Sequence, residues 1–325
     1  LAGNTTIDTD STSNNGAVTF SSTVDGAKTL TITSGSGAVE FGGNIGATTA
    51  LGDVTVNSSA GTGTITFSGN VGADATTAGA AVVTVGNADT ASITFAGVEF
   101  TTSGAQTFTA DAYSITGADS TFGSSNDNIT FADGGADGGI TLADIADLTI
   151  TTEIGGSGGG NIAVNVPIAG TSGDGDDATD VTMTAGSGTI TVEDITTDIN
   201  DVLLTSTGGI SLDGSITTAV DSDETGATSG VVTLTGPVTL AGNTTIDTDS
   251  TSNNGAVSFT STVDGAKTLT ITSGSGAVDF AGNIGATTAI GDLTVNSSAG
   301  TGTIDIEQIG DCLLYTSDAA DDTTG

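Results

Sequence analysis

Residues 1–65 of this chain return almost unchanged as residues 240–304. Only six of the 65 positions differ, and each difference exchanges similar side chains. The differing pairs are Thr19 and Ser258, Ser21 and Thr260, Glu40 and Asp279, Gly42 and Ala281, Leu51 and Ile290, and Val54 and Leu293. An array that lengthens by copying its own units repeats in this way, whereas a catalytic domain rarely does. The duplication therefore favours a structural repeat protein.

Large side chains are too scarce to fill a wide core. The 325 residues include 51 Gly but only ten Phe and two Tyr, with no Trp and no His. A narrow core of Val, Ile, Leu, Ala and occasional Phe is the alternative. Disorder is opposed by apolar triplets that recur along the whole chain, because a disordered segment lacks such a pattern.

Short runs alternate apolar residues with Thr or Ser, as in Thr-Leu-Thr-Ile-Thr at residues 29–33. This period of two indicates β-strands, and the runs come in pairs. One apolar residue from each pair gives the series Val18, Val39, Ile65, Ile93, Ile129, Ile162, Ile190, Ile210, Val232, Val257, Val278 and Ile304. Most steps are 20–28 residues, which suits one turn of a parallel β-solenoid. Helical repeats are excluded, and only residues 142–148 and 193–202 could hold a helical turn.

Residues 1–311 are therefore predicted to form one continuous all-β solenoid of about a dozen coils, on the order of 55 Å long. Like residues should stack on like along its axis. Seven Phe residues at equivalent strand ends predict an internal ladder: Phe20, Phe41, Phe67, Phe95, Phe131, Phe259 and Phe280. The turn at residues 41–46, Phe-Gly-Gly-Asn-Ile-Gly, recurs at 67–72 and 280–285, so its Asn side chains could also bond along the axis.

Three motifs carry a resemblance to a known family. They are Gly-Ala-Val-Thr/Glu-Phe, Leu-Thr-Ile-Thr-Ser-Gly-Ser-Gly and Ala-Leu-Gly-Asp-Val-Thr-Val-Asn. Together they resemble the repeats of filamentous-haemagglutinin-like and autotransporter-type adhesins, over nearly the whole chain. The resemblance implies a right-handed parallel β-helix, secreted or attached to the bacterial surface. It also implies an interior piece flanked by contiguous repeats of a longer chain, with an extracellular ligand or matrix as partner.

The C-terminal stretch departs from the repeat pattern. Residues 312–325 contain the only Cys, Cys312, and begin Cys-Leu-Leu-Tyr-Thr-Ser-Asp-Ala-Ala-Asp-Asp. This string resembles the translation of a transposase adapter used to prepare sequencing libraries. We expect residues 312–325 to be a non-native tail outside the solenoid.

The charge is one-sided. Thirty-nine acidic residues stand against two basic ones, Lys28 and Lys267, for a net charge of −37. Such a surface repels nucleic-acid phosphates and anionic lipids, and no apolar run reaches membrane-spanning length. Neither nucleic acid nor membrane insertion is therefore expected. Salt or divalent cations would relieve the self-repulsion, so the charge suits either life in saline water or cation-dependent assembly.

Two acidic stretches are candidate metal sites, and Ca²⁺ is the only cofactor that the sequence suggests. The candidate ligands are Asp174, Asp176, Asp177, Asp180, Asp221, Asp223 and Glu224. Carboxylates on a turn are ligands for this cation. The EF-hand pattern fails for lack of its terminal Glu, and calcium-binding β-roll repeats are missing. Solvated acidic loops are the competing interpretation.

Two further functions of β-helices fit the sequence less well. Lyase chemistry on uronate polymers calls for Arg, Lys or a cation, yet Arg and His are absent and the two Lys are copies of each other. A hydrolase could use carboxylates alone, but scattered turn carboxylates are ordinarily solvated, so no enzyme activity is expected. An ice-binding β-helix needs a flat Thr lattice, and facing positions such as Glu40, Asn57 and Asp305 suggest an irregular one.

The leading hypothesis is a repetitive stalk segment of a secreted or cell-surface bacterial adhesin, which spaces a binding region from the cell. A Ca²⁺-dependent surface-layer or matrix protein is the alternative, and a polysaccharide-acting enzyme and an ice-binding β-helix are remote ones.

Overall fold

A computed structural model describes residues 1–12, 15–57, 61–73, 77–97, 99–135, 138–143, 146–156, 158–171, 179–218, 230–249, 254–296 and 301–310. These residues form strands β1 Thr5–Asp8, β2 Val18–Phe20, β3 Leu30–Thr33, β4 Val39–Phe41, β5 Val54–Val56, β6 Ile65–Phe67, β7 Val83–Gly86, β8 Ile93–Phe95, β9 Glu99–Thr102, β10 Gln106–Ala110, β11 Tyr113–Ile115, β12 Ser120–Ser124, β13 Ile129–Asp133, β14 Ile140–Leu142, β15 Leu148–Thr151, β16 Ile162–Asn165, β17 Ile168–Gly170, β18 Thr179–Gly186, β19 Ile190–Val192, β20 Ile195–Thr196, β21 Ile199–Ser206, β22 Ile210–Leu212, β23 Ile216–Thr217, β24 Val232–Thr235, β25 Val238–Leu240, β26 Thr244–Asp247, β27 Val257–Phe259, β28 Val263–Asp264, β29 Leu269–Thr272, β30 Val278–Ile284, β31 Leu293–Val295 and β32 Ile304–Ile309.

The strands stack as a parallel β-solenoid of about eleven turns, which confirms the predicted fold class. No helix occurs among the described residues. The two stretches that could have held a helical turn instead border or contain strands. β14 ends at Leu142 and β15 begins at Leu148, while β20 lies within residues 193–202 and β21 begins there at Ile199. The predicted tail at 312–325 lies outside the described residues.

Each turn of the chain visits three faces in a fixed order. Face 1 stacks β1, β3, β5, β7, β10, β13, β16, β19, β22, β25 and β28, and face 2 stacks β2, β4, β6, β8, β11, β14, β17, β20, β23, β26, β29 and β31. Face 3 stacks β9, β12, β15, β18, β21, β24, β27, β30 and β32. Strand β30 also turns a corner, since Val278 pairs on face 3 while Ile284 pairs with Val263 on face 1. Coils range from 20 residues, between Ile190 and Ile210, to 33, between Ile129 and Ile162.

The sequence pattern indicated two strands in each coil, whereas the structure has a third face. In the first coils this face is reduced to single bridges, which join Val24 to Ile45, Ile45 to Val71, and Val71 to Phe100. A single bridge residue cannot show the alternation of apolar and polar residues that marks a strand, so the sequence pattern gave no sign of the third face in these coils. The series of apolar residues from Val18 to Ile304, which the sequence suggested as one column, therefore lies on three different faces. Its first four members lie on face 2, its middle four on face 1 and its last four on face 3.

Aromatic packing differs from the single ladder that the sequence predicted. Phe20, Phe41, Phe67 and Phe95 do stack along face 2, with ring centroids 5.0–5.7 Å apart. Phe131 lies on face 1, in a cluster of mostly edge-to-face rings with Phe95, Phe100, Phe108, Tyr113 and Phe122. Phe259 and Phe280 stack on face 3, 4.7 Å apart. Phe20 is partly exposed, and the others are fully buried.

Two polar side chains lie inside this aromatic region. Gln106 occupies a core position in the face 1 column, and its amide nitrogen donates to the carbonyl oxygens of Phe100 at 2.9 Å and Gly123 at 2.7 Å. The Tyr113 hydroxyl accepts from the Ala110 N–H at 3.0 Å. Burial raises the pKa of Tyr113 above its ordinary value, so this hydroxyl stays protonated.

The duplicated segments fold alike but lie on different faces. Strand β1 is on face 1, whereas its copy β26 is on face 2; β2 is on face 2, whereas its copy β27 is on face 3. Local geometry is nevertheless retained, since Asn57 and Asn296 adopt φ of 47° and 46°. Their side-chain oxygens accept from the N–H of Ser34 at 2.8 Å and of Ser273 at 2.7 Å. Nine coils and one additional face therefore separate the two copies.

Candidate functional surface

Asn and Asp side chains connect successive coils along the axis, as the stacked Asn of the turn motif had suggested. Asn44 accepts from the Asn70 N–H at 3.1 Å, and Asn128 accepts from the Asn161 N–H at 2.8 Å. Asn161 in turn accepts from the Thr189 N–H at 2.9 Å. Each bond uses a backbone donor one coil further along. These residues satisfy corner N–H groups that would otherwise depend on water.

The same type of hydrogen bond, in which a side-chain oxygen accepts from a backbone N–H of the next coil, places three carboxylates in a column. We call it the aspartate column: Asp147, Asp180 and Asp201. Asp147 accepts from the Asp180 N–H at 2.8 Å, and Asp180 accepts from the Asp201 N–H at 3.0 Å. Asp201 accepts from the Val231 N–H at 2.7 Å. All three residues are partly buried, at the edge of face 3. Like charges are thus held one coil apart, about 4.8 Å along the axis.

Burial and neighbouring carboxylates raise the pKa of two members of this column. For Asp147, desolvation is the main cause, and the nearby Asp180 and Asp119 add to it. For Asp201, desolvation again leads, followed by the charge of Asp180. Glu193 on face 1 also has a raised pKa, from desolvation and then from Asp213, Asp133 and Asp194. The solenoid therefore holds carboxylates in places that disfavour their charged form.

Asp180 is the one predicted calcium ligand among the residues that the structure describes. Asp174, Asp176, Asp177, Asp221, Asp223 and Glu224 lie outside the described residues. Asp180 is described, and it belongs to the aspartate column rather than to a loop. Within the described ranges, no group of three or more acidic or Cys side chains is arranged to hold a metal ion. The calcium site remains a prediction.

Outward Thr residues form the most regular surface, on face 3. We call it the threonine array: Thr149, Thr182, Leu203, Thr233 and Ser258 in one column, with Thr151, Thr184, Thr205 and Thr235 in the next. Alternate positions in these strands are buried, so the array side chains face outward. Eight of its nine positions carry a hydroxyl. Glu40 and Asn57, taken from sequence as interruptions of such a lattice, lie on faces 2 and 1, and Asn57 is buried.

Comparison of the chain with family models, with curated proteins and with solved structures gave no match. In the part of the chain that the structure describes, no helix is long and apolar enough to cross a membrane.

Sequence reasoning missed both the aspartate column and the threonine array. Neighbouring members are separated by 21 to 33 residues in the chain, as Thr184 and Thr205 or Thr149 and Thr182 illustrate. A recurrent motif of Asp followed by alternating apolar and hydroxyl residues was nevertheless available, at residues 147–151 and 180–184. Only the coil register shows that these two motifs are neighbours.

Proposed function

We propose that this chain is a repetitive stalk segment of a secreted or cell-surface bacterial adhesin, spacing a binding region away from the cell. The observation that carries the proposal is continuous parallel pairing. Each described coil hydrogen bonds to the next, from the β1–β3 pair at one end to the β30–β32 pair at the other. A stalk must transmit tension without a weak joint, and stacked coils form such a series.

The packing also supports a mechanical role. Each coil contacts its neighbours through main-chain hydrogen bonds and buried apolar columns, so stability is shared among nearest-neighbour interfaces. The columns are fully buried through the middle of the chain, for instance Ile129, Ile162 and Ile190. The acidic exterior opposes lateral aggregation between rods.

Single-molecule pulling along the rod axis tests the proposal. Tension should release coils one after another, and each release should lengthen the chain by the contour of 20–33 residues, roughly 70–115 Å at about 3.5 Å per residue. A matched chain carrying Gly188→Ala should release first near β19. Collapse of the whole rod in one step at low force would contradict a load-bearing role.

A Ca²⁺-dependent surface-layer or matrix protein is the second candidate. The excess of 39 acidic residues over two basic ones supports it, because bound divalent cations would relieve the self-repulsion of the chain. Melting the purified chain in NaCl and in CaCl₂ at matched ionic strength separates the two candidates. A calcium-specific gain that is lost with Asp180→Asn supports the second, and equal gains in both salts count against it.

A further inference from the structure

The threonine array has a geometry that the other two faces lack. The face 1 strands also carry an outward Thr column, with Thr31, Thr55, Thr84, Thr107 and Thr130 in consecutive coils. The neighbouring outward column there is mixed, however, and includes Asn165 and Glu193 next to Val164 and Val192. On face 2 most strands have three residues and present one outward position. Two adjacent columns that carry a hydroxyl at every position but Leu203 over four successive coils therefore occur, among the described strands, on face 3.

The hydroxyls of this array are available to solvent. Among the array residues, all of which the structure describes, Thr151 alone has a hydroxyl hydrogen bond within the chain, accepting from the Glu153 N–H at 3.2 Å. The remaining Thr and Ser side chains of the array are half-buried, so each presents its methyl or methylene group and its hydroxyl together at the surface. No charged residue interrupts the two columns between β15 and β24.

The spacing of the array is fixed by the backbone. Neighbouring coils are about 4.8 Å apart, and alternate residues of a strand are about 6.7 Å apart. The coil register is intact across it, since the irregularities in the β18–β21 pair fall outside residues 181–184. Oxygen atoms on the prism face of hexagonal ice repeat at distances close to these in two perpendicular directions. A rigid hydroxyl grid with such repeats can hold a layer of water in an ice-like arrangement.

We propose that the threonine array is an ice-binding surface. Its ligand is the ordered water of an ice crystal face, held by hydroxyl hydrogen bonds and by methyl groups that fit between water positions. This inference is independent of the stalk proposal. The interruptions expected from the sequence lie outside β15–β24, because Glu40 and Asn57 belong to other faces. On face 3 the column is interrupted beyond Ser258, by Asp279 on β30 and then by Asp305 on β32.

One substitution should improve the surface. Leu203 is 39% exposed and occupies a position that Thr fills in the coils on either side, Thr182 and Thr233. Leu203→Thr completes the column, and Thr is well suited to an exposed strand position. We expect this variant to halt ice growth at a lower protein concentration than the unmodified chain.

Thermal hysteresis and inhibition of ice recrystallisation test the proposal with the full 325-residue chain. The variant Thr184→Lys with Thr233→Lys places bulky charges in the array and should need at least tenfold more protein for the same effect. Thr55→Lys with Thr107→Lys is the matched control, because those residues are equally half-buried on face 1. The control should behave as the unmodified chain does.

Two results would overturn the ice-binding proposal. Absence of ice shaping by the unmodified chain at millimolar concentration overturns the proposal, and so does an equal loss in the array and control variants. If the lysine variant melts earlier than its control, Thr184→Ala with Thr233→Ala makes the same comparison with smaller side chains.

Discussion

At the scale of single residues, the axial bonds show how the chain balances satisfied N–H groups against charge. Asn161 and Asp180 perform the same task, since each accepts from a backbone N–H one coil further along. Asn does so without charge, whereas Asp places a carboxylate beside its equivalents in adjacent coils. The column of Asn is neutral and the column of Asp repels itself.

Replacing charge by amide in the aspartate column should stabilise the protein. The double variant Asp147→Asn with Asp201→Asn keeps both side-chain acceptors and removes two charges. We expect the free energy of unfolding at pH 7 to rise by about 0.5–1 kcal/mol, the scale of partly exposed charge interactions. Urea unfolding measures it. Asn161→Asp is the reverse control and should lower stability, and a gain from that change would contradict the argument.

Stability should increase as the solution is acidified from pH 7. The pKa values of Asp147, Glu193 and Asp201 are raised, so the folded state binds protons more readily than the unfolded chain. Their stabilising effect is complete below the ordinary carboxyl pKa, near 4, and is lost as pH rises through the raised values. The urea midpoint at several pH values tests this. In the triple variant Asp147→Asn, Glu193→Gln and Asp201→Asn, the urea midpoint should change less with pH.

A Cβ at one glycine corner should be costly. A methyl group on Gly188 would overlap the carbonyl oxygen of Gly160 in the preceding coil, because the backbones approach closely there. Gly188→Ala should lower the free energy of unfolding by about 1–3 kcal/mol, as overpacking does. Gly156→Ala is the matched control, since nothing lies within 4 Å of its added carbon. Similar unfolding curves for the two variants would be the contrary result.

At the scale of elements, the aromatic side chains of β2 to β13 form first a stacked column and then a cluster. Rings in the Phe20–Phe95 column are nearly parallel, whereas most contacts around Phe122 are edge-to-face. The change occurs where face 3 grows from single bridges into full strands. At this level the core contains rings from all three faces.

Removing one ring from the face 2 column should weaken the coils that contact it. Phe67 stacks between Phe41 and Phe95 at 5.0 and 5.7 Å. Phe67→Ala should cost about 3–5 kcal/mol, and hydrogen exchange should accelerate in β4, β6 and β8 while β22 and β25 stay protected. Phe20→Ala, at a partly exposed position with one stacked neighbour, should cost less. Uniform acceleration along the rod would contradict nearest-neighbour stabilisation.

The strands themselves were predictable from the sequence, because alternation of Thr with Val, Ile or Phe is a local property. The face on which each strand lies was not. It depends on how many residues the intervening loops contain, and coils of 20 and 33 residues coexist in this chain. Phe131 and Phe259 were therefore assigned to one ladder with Phe41, although they lie on other faces. The third face escaped prediction because Val24, Ile45 and Val71 are single bridges.

At the scale of the whole molecule, the chain carries a net charge of −37, and its described part is a stack of parallel coils. Added NaCl should raise the melting temperature at pH 7 steadily, because the screening length falls from about 10 Å at 0.1 M to about 3 Å at 1 M. Calorimetry at increasing salt measures the change. The same series at pH 4, where many carboxylates are protonated, should show a smaller rise. A melting temperature independent of salt at pH 7 would contradict self-repulsion.

The displacement of the second copy by one face changes what duplication means for such a rod. Because one repeating block spans nine coils and one additional face, the next block begins a third of a turn further around the solenoid axis. Gene duplication need not add a whole number of coils, because a segment that keeps its own hydrogen bonds, as the Asn57 and Asn296 turns do, folds in the same way on two different faces. Three such blocks in series would point equivalent surfaces in three directions, so a ligand could approach the fibre from any side.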